Sequence, residues 1–135
     1  MVDHVDTAKR SLIMAAVHSK HTKPELVVRK IVYGLGYRYR LHSKKLPGKP
    51  DLVFAGKRKA IFVHGCFWHR HPRCQYATSP KTRTEFWDAK FQANVERDER
   101  TTNELERLGW SVLTVWQCEQ KEPEKLAERL DEFLK

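Results

Sequence analysis

The spacing of apolar positions changes several times along this chain, and each change marks an element. From Thr7 to His18, Leu12, Ile13, Ala16 and Val17 share one stripe at helical spacing, which predicts a first helix. Thr22-Lys-Pro-Glu25 predicts the start of a second: Thr22 can cap, Pro24 suits the first turn, and Glu25 stands where a capping box requires it. That helix is expected to run to about Tyr33, where Gly34 and Gly36 stop it. Tyr37-Arg-Tyr-Arg-Leu41 alternates, the pattern of a strand with one wet face. Leu46-Pro-Gly-Lys-Pro50 reads as a loop that delivers the chain to Asp51. Asp51 to Ala55 and Lys59 to Val63 are short apolar runs about Gly56-Lys57-Arg58, which predicts a β-hairpin.

Beyond an irregular stretch at 75–83, a long helix is expected from near Thr84 to about Leu108, ended by Gly109. Trp110 to Trp116, rich in β-branched residues, is expected as a buried strand. Pro123 opens a last amphipathic helix with Leu126, Leu130, Phe133 and Leu134 facing inward. The order ααβββαβα predicts an α/β domain with a mixed central sheet flanked by helices. At 135 residues, one domain is expected over 1–135.

The charge changes this picture. Residues 1–60 hold 14 Lys and Arg against 4 Asp and Glu, whereas residues 61–135 hold 12 against 13, so the whole formal excess of +9 lies in the first part. A localised positive field attracts polyphosphate and gives salt-sensitive binding, which points to nucleic acid. No apolar run approaches the length of a membrane span, and the polar start Met-Val-Asp-His-Val-Asp is not that of a signal peptide. Three cysteines cannot all pair within one chain, so thiolates on a metal in a reducing cytosol are expected in place of a disulfide framework.

Most of the candidate chemistry lies between Val63 and Cys74. Cys66-x4-His71-x2-Cys74 has ligand types and spacing suited to a tetrahedral Zn2+ site, and Cys118 can supply the fourth ligand. His69 is the competing ligand; His71 is preferred because His69 lies close to Cys66. A closed four-ligand set has no open position, so this zinc is expected to be structural. Asp51 opens one strand of the hairpin and His64 ends the other, so the two can approach each other. That layout resembles the PD-(D/E)xK nucleases, although the Glu-x-Lys is replaced by Phe62-Val63-His64. Asp51 can bind a hard cation and a nearby histidine, His64 or His69, can move a proton, as phosphodiester hydrolysis requires. Phe67 and Trp68 on the loop are expected to be exposed and, with Trp87, to form an aromatic wedge. Trp87, Lys90 and Asn94 share one face of the long helix, with Lys90 and Asn94 suited to base-edge or phosphate contacts. Trp110 and Trp116 are expected in the core.

The chain closely resembles the very short patch repair (Vsr) endonucleases, bacterial enzymes that nick DNA beside T·G mismatches. The resemblance rests on Thr22-Lys-Pro-Glu25, Leu46-Pro-Gly-Lys-Pro-Asp51, Ile61-Phe-Val-His-Gly-Cys-Phe-Trp-His69, Thr82-Arg-Thr-Glu-Phe-Trp87, Asn94-Val-Glu-Arg-Asp98 and Leu108-Gly-Trp-Ser-Val-Leu-Thr-Val-Trp116. It implies a restriction-endonuclease-like core with a structural zinc, and Mg2+-dependent hydrolysis on the 5′ side of the mismatched thymine in double-stranded DNA. By that resemblance, Asp51 and the Val63 backbone carbonyl bind Mg2+, and His69 is the general acid/base with His64 at the phosphate. Glu25 orders water at the metal, and Asp98 supports the histidines. Phe67, Trp68 and Trp87 insert beside the mismatch from the major groove. A helix within 1–20, near Met14, approaches from the minor groove, and Lys90 and Asn94 contact bases. Some members have Thr where this chain has Val63, so a side-chain role there is lost. The resemblance further implies a monomer acting at the bacterial nucleoid in the cytoplasm, with a repair polymerase and ligase, and mismatch-repair proteins, as partners. Two other readings are a restriction-type nuclease indifferent to mismatches and a zinc-stapled DNA-binding module without catalysis.

Overall fold

A computed structural model describes residues 22–135. The helix expected over Thr7 to His18, and with it Met14, lies outside the described residues. The elements are α1 (Lys23–Gly34), β1 (Arg40–Leu41), β2 (Leu52–Phe54), β3 (Lys59–His64), α2 (Thr84–Arg107), β4 (Ser111–Trp116) and α3 (Pro123–Leu134), with 3-10 turns at Ala55–Lys57 and Gln117–Lys121. The sheet runs in the order β1-β2-β3-β4. β1 and β2, and β2 and β3, pair antiparallel, while β3 and β4 pair parallel through the crossover helix α2. The expected mixed sheet with flanking helices is the fold observed.

Local chemistry sets the boundaries. Thr22 caps α1 by accepting from the Glu25 backbone N–H at 3.4 Å. The Glu25 carboxylate does not complete the reciprocal half of the box, because it turns to Arg29 and His42. The hairpin turns through Arg58, which adopts a left-handed φ of +53°. Helix α2 ends where Gly109 takes φ +89°, a conformation that costs glycine little.

Two expected strands differ in extent. The Tyr37–Leu41 strand shortens to Arg40–Leu41, because Tyr37 and Tyr39 pack on the core ahead of any ladder partner. Strand β4 is half-buried, with only Val115 fully enclosed, since it forms one edge of the sheet.

The core joins Val28 and Val32 of α1, Leu52 and Phe54 of β2, Ile61, Val115, and Leu126, Leu130 and Leu134 of α3. Burying each such leucine stabilises the fold by about 1.5–3 kcal/mol. On the opposite face Phe62 lies under the loop 46–50, beside Thr101 of α2. There the loop backbone at Gly48 takes φ +74°, and an added Cβ would strike the Thr101 methyl and stand 3.2 Å from the Phe62 ring. Left-handed strain and overpacking add, so Gly48→Ala should lower stability by roughly 2–4 kcal/mol in urea denaturation. Because this loop leads into Asp51, the substitution should lower activity as well.

Candidate active site and metal centre

The parallel pairing of β3 with β4 sets His64 opposite Trp116, and the chain leaves both strands at the same end of the sheet. From there the loop after β3 and the turn after β4 meet. Cys66, His71, Cys74 and Cys118 come together with their ligand atoms all within 4.8 Å of one another. His71 Nδ1 lies 3.6 Å from Cys66 Sγ and 3.5 Å from Cys118 Sγ. Zinc bond lengths of about 2.0–2.3 Å imply ligand-to-ligand edges of roughly 3.5–3.8 Å in a tetrahedron, so three thiolates and this imidazole fit the ion. Burial pushes the Cys66 thiol up to about 12. Without a cation, that pocket keeps the thiol protonated; a bound metal reverses the balance. The imidazole of His71 stacks on Trp116 at 4.2 Å, so Trp116 braces the cluster in addition to packing in the sheet. His69 lies in a different group, with His64 and Asp98.

A second cluster holds His64, His69 and Asp98. The His64 and His69 rings stack in parallel at 3.8 Å. His69 Nδ1 lies 2.6 Å from Asp98 Oδ2 on α2. Burial would raise the Asp98 carboxyl, but its bond to His69 and the neighbouring positive charge hold it below the ordinary carboxylate range. Burial, together with the charge of His69 beside it, pushes His64 down to about 3. His64 is therefore neutral in the folded protein at neutral pH.

That shift carries a pH prediction. The unfolded chain protonates His64 near its ordinary value of 6.5, while the folded chain refuses the proton until about 3. The stability this residue contributes is full above pH 6.5 and is lost as pH falls toward 3. Comparing urea unfolding at pH 7 and pH 4, His64→Phe should shrink the acid loss of stability by up to about 3 kcal/mol.

The third cluster is Glu25, His42 and Asp51. Asp51 Oδ2 accepts from the Val63 backbone N–H at 2.7 Å, which fixes the carboxylate against β3. Burial and the adjacent Glu25 carboxylate push Asp51 up to about 7. Such a carboxylate gains by facing a cation. Glu25 is only 2% exposed and pairs with Arg29 and with His42 Nε2, 3.0 Å from both of its oxygens. Burial opposes its charge, yet these hydrogen bonds and charges hold Glu25 below the ordinary range. Glu25 thus stands beside Asp51 on the cleft wall, with its oxygens engaged by Arg29 and His42.

The second and third clusters face one open cleft of about 1000 Å³, whose walls also carry Lys44, Lys49 and Arg97. Carboxylates, histidines and cations on one concave wall are the parts needed to hold a phosphodiester and move a proton.

The aromatic expectations need correction. Trp68 is 7% exposed and Phe67 is half-buried, because they pack into one group with Trp87 and Phe91. Arg70 covers Phe91 at 4.2 Å and donates to the carbonyls of Phe67, Ala77 and Thr78. Trp87 is half-buried, while Phe86, at 48% exposed, stands beside it on the first turn of α2. Asn94 is 8% exposed and donates to the Trp68 carbonyl at 3.1 Å, so it fastens the loop to α2. Lys90 is exposed, with its ammonium 5.9 Å from the Trp68 ring. Sequence reasoning missed His42, Phe86 and Arg97. Phe86 carried a signal, since it adjoins Trp87 on a first turn; His42 carried none, because only strand pairing brings it to Asp51.

The family model for DNA mismatch endonuclease Vsr matches residues 2–75. The type II nicking enzyme V.XorIIP of Xanthomonas oryzae pv. oryzae is 45% identical over 134 residues, 99% of this chain and 98% of that one. The DNA mismatch endonuclease Vsr of Escherichia coli K12 is 43% identical over 139 residues, 99% of this chain and 88% of that one. Among solved structures, the catalytic domain of homing endonuclease I-Bth0305I matches with a TM-score of 0.59 and 25% identity, over 83% of this chain and 93% of that chain.

Proposed function

The chain belongs to the Vsr family of DNA mismatch endonucleases, and we propose that it nicks one strand of duplex DNA on the 5′ side of the thymine in a T·G mismatch, opening very short patch repair. The observation that carries this reading is the convergence of Asp51 and the His64–His69–Asp98 group on one cleft with cationic walls. Asp51 and the Val63 carbonyl would hold Mg2+, which supplies charge relief at the phosphate and eases deprotonation of water. Asp98 fixes one ring nitrogen of His69 and leaves the other to take a proton from the attacking water or give one to the leaving oxygen. His64, kept neutral, lies against His69 and offers a hydrogen bond at the phosphate. Lys44, Lys49 and Arg97 attract the DNA backbone.

Cys66, His71, Cys74 and Cys118 would hold a structural zinc that keeps the aromatic loop and His69 in place. In the wedge, half-buried Phe67 and Trp87, with Phe86 beside them, face the mismatch while Trp68 and Asn94 back the loop. A T·G wobble pair stacks less well than a matched pair, so unstacking it costs less by roughly a few kcal/mol at most. Lys90 adds a base or phosphate contact, and the segment around Met14 a minor-groove one. We place the enzyme in the bacterial cytoplasm at the nucleoid, acting as a monomer ahead of a repair polymerase and ligase and alongside mismatch-repair proteins. No helix among the described residues is long and apolar enough to cross a membrane.

The test is zinc-loaded protein with Mg2+ and duplexes carrying one T·G pair in a library of flanking sequences. A single nick 5′ of the mismatched thymine is expected. Cleavage of both strands of matched DNA would instead identify a restriction-type nuclease, and binding without cleavage in every context a non-catalytic module.

A further inference from the structure

His42 has no part in the roles assigned above, yet its setting is specific. It is the residue after β1, and its backbone N–H donates to the Asp51 carbonyl at 3.1 Å, so strand pairing fixes it opposite Asp51. Its backbone adopts φ +47°, a left-handed conformation that costs a non-glycine residue about 1 kcal/mol or more. That conformation accompanies an imidazole aimed inward, 9% exposed, with Nε2 3.0 Å from both Glu25 oxygens and 3.9 Å from Asp51 Oδ1. Glu25 is held on its other side by Arg29 from the same helix.

We propose that His42 is a positioning residue for the cation site: its N–H holds the buried Glu25 carboxylate beside Asp51, so that the two acids together present a preformed seat for a divalent cation. Two carboxylates in contact repel and would splay apart if one could turn. Arg29 alone leaves Glu25 a rotation about its terminal bond, and a second donor from β1, across the site from α1, removes it. In this role His42 acts through Glu25. Groups of this kind change metal affinity roughly 10–100-fold while leaving the ligands in place.

The inference rests on the reading of Asp51 as a cation ligand, and its test reads cation binding directly. Mn2+ binding to the zinc-loaded protein without DNA is followed by the loss of the free-ion electron paramagnetic resonance signal, for the natural chain, His42→Leu and His42→Gln. Thermal melts are recorded in parallel. His42→Leu should weaken Mn2+ binding roughly tenfold or more, and His42→Gln, which keeps a donor N–H, should recover most of it. The Mg2+ concentration for half-maximal nicking should rise in the same order, with the rate at saturating Mg2+ changed much less. If His42→Leu melts early, His42→Ser, too short to reach Glu25, takes its place. Unchanged or tighter Mn2+ binding in the Leu or Ser variant, or equal loss with Gln, would overturn the proposal. Should the natural chain fail to nick T·G duplexes while Mn2+ binding still depends on His42, the functional reading falls and this one stands.

Discussion

Asp51→Asn should abolish nicking of a T·G duplex, by on the order of 10³-fold or more, which is about 4 kcal/mol of lost transition-state stabilisation. Binding of the same duplex in the absence of cleavage should persist. Asn is nearly the same shape, and its carbonyl oxygen can still accept from the Val63 backbone N–H that Asp51 holds at 2.7 Å. What it lacks is the charge for a cation. The same substitution should move stability the other way. The unfolded chain releases the Asp51 proton near 3.8, while the folded chain keeps it to about 7. The folded state therefore loses stability as pH rises between those values, and the full cost is present above pH 7. Without added Mg2+, Asp51→Asn should be more stable than the natural chain at pH 8, with the gap closing toward pH 4. A variant that is inactive yet more stable would show a site where charge repulsion is kept for function. Retained nicking in Asp51→Asn would remove Asp51 from the chemistry.

The contrast between what the sequence carried and what it hid has a physical basis. Elements with a strong period or hard punctuation were legible: Thr22 and Pro24 open α1, Gly109 closes α2, and Leu126, Leu130 and Leu134 mark the inner face of α3. The cluster of Cys66, His71, Cys74 and Cys118 was legible because three of the four lie within nine residues and their chemistry is narrow. Burial of individual side chains was not. Trp68 and Asn94 sit between charges and ligands in sequence, yet they face each other across the gap between the loop and α2, and that contact depends on tertiary packing alone. The same holds for His42, which joins the site through the pairing of β1 with β2. Strand length at the edge was overestimated because alternation in Tyr37–Leu41 records which side is wet, and says nothing about whether a partner strand is present.

The second large effect concerns the metal centre. Cys118→Ser should lose the zinc, from about one ion per chain to nearly none by metal analysis, and with it the folded state of the loop after β3. Between His64 and Thr84 the described chain forms neither strand nor helix. Its order depends on the cluster, on Arg70 bridging to three carbonyls, and on the aromatic group against α2. Cys118 is the one member of the cluster outside that segment, on the turn after β4, so a metal held there would tie the loop to the end of that strand. Serine leaves a buried Cys66 thiol and His71 without the cation that justifies their burial. Structural zinc contributes apparent binding energies of about 10–16 kcal/mol in small domains, against total stabilities of about 5–15 kcal/mol, so even partial loss is severe. A fall of roughly 4 kcal/mol or more, beyond about 12 °C in Tm, is expected. Activity should fall with it, although no zinc ligand touches the cleft chemistry: once His71 leaves Trp116, His69, two residues earlier, loses its fixed stack on His64 and its bond to Asp98. The β2–β3 hairpin and the α1–α3 core do not include these residues and should keep their far-ultraviolet dichroism at low temperature. A metal-free Cys118→Ser protein that melts like the natural chain and still nicks would show that the three thiols and His71 are ordinary packing.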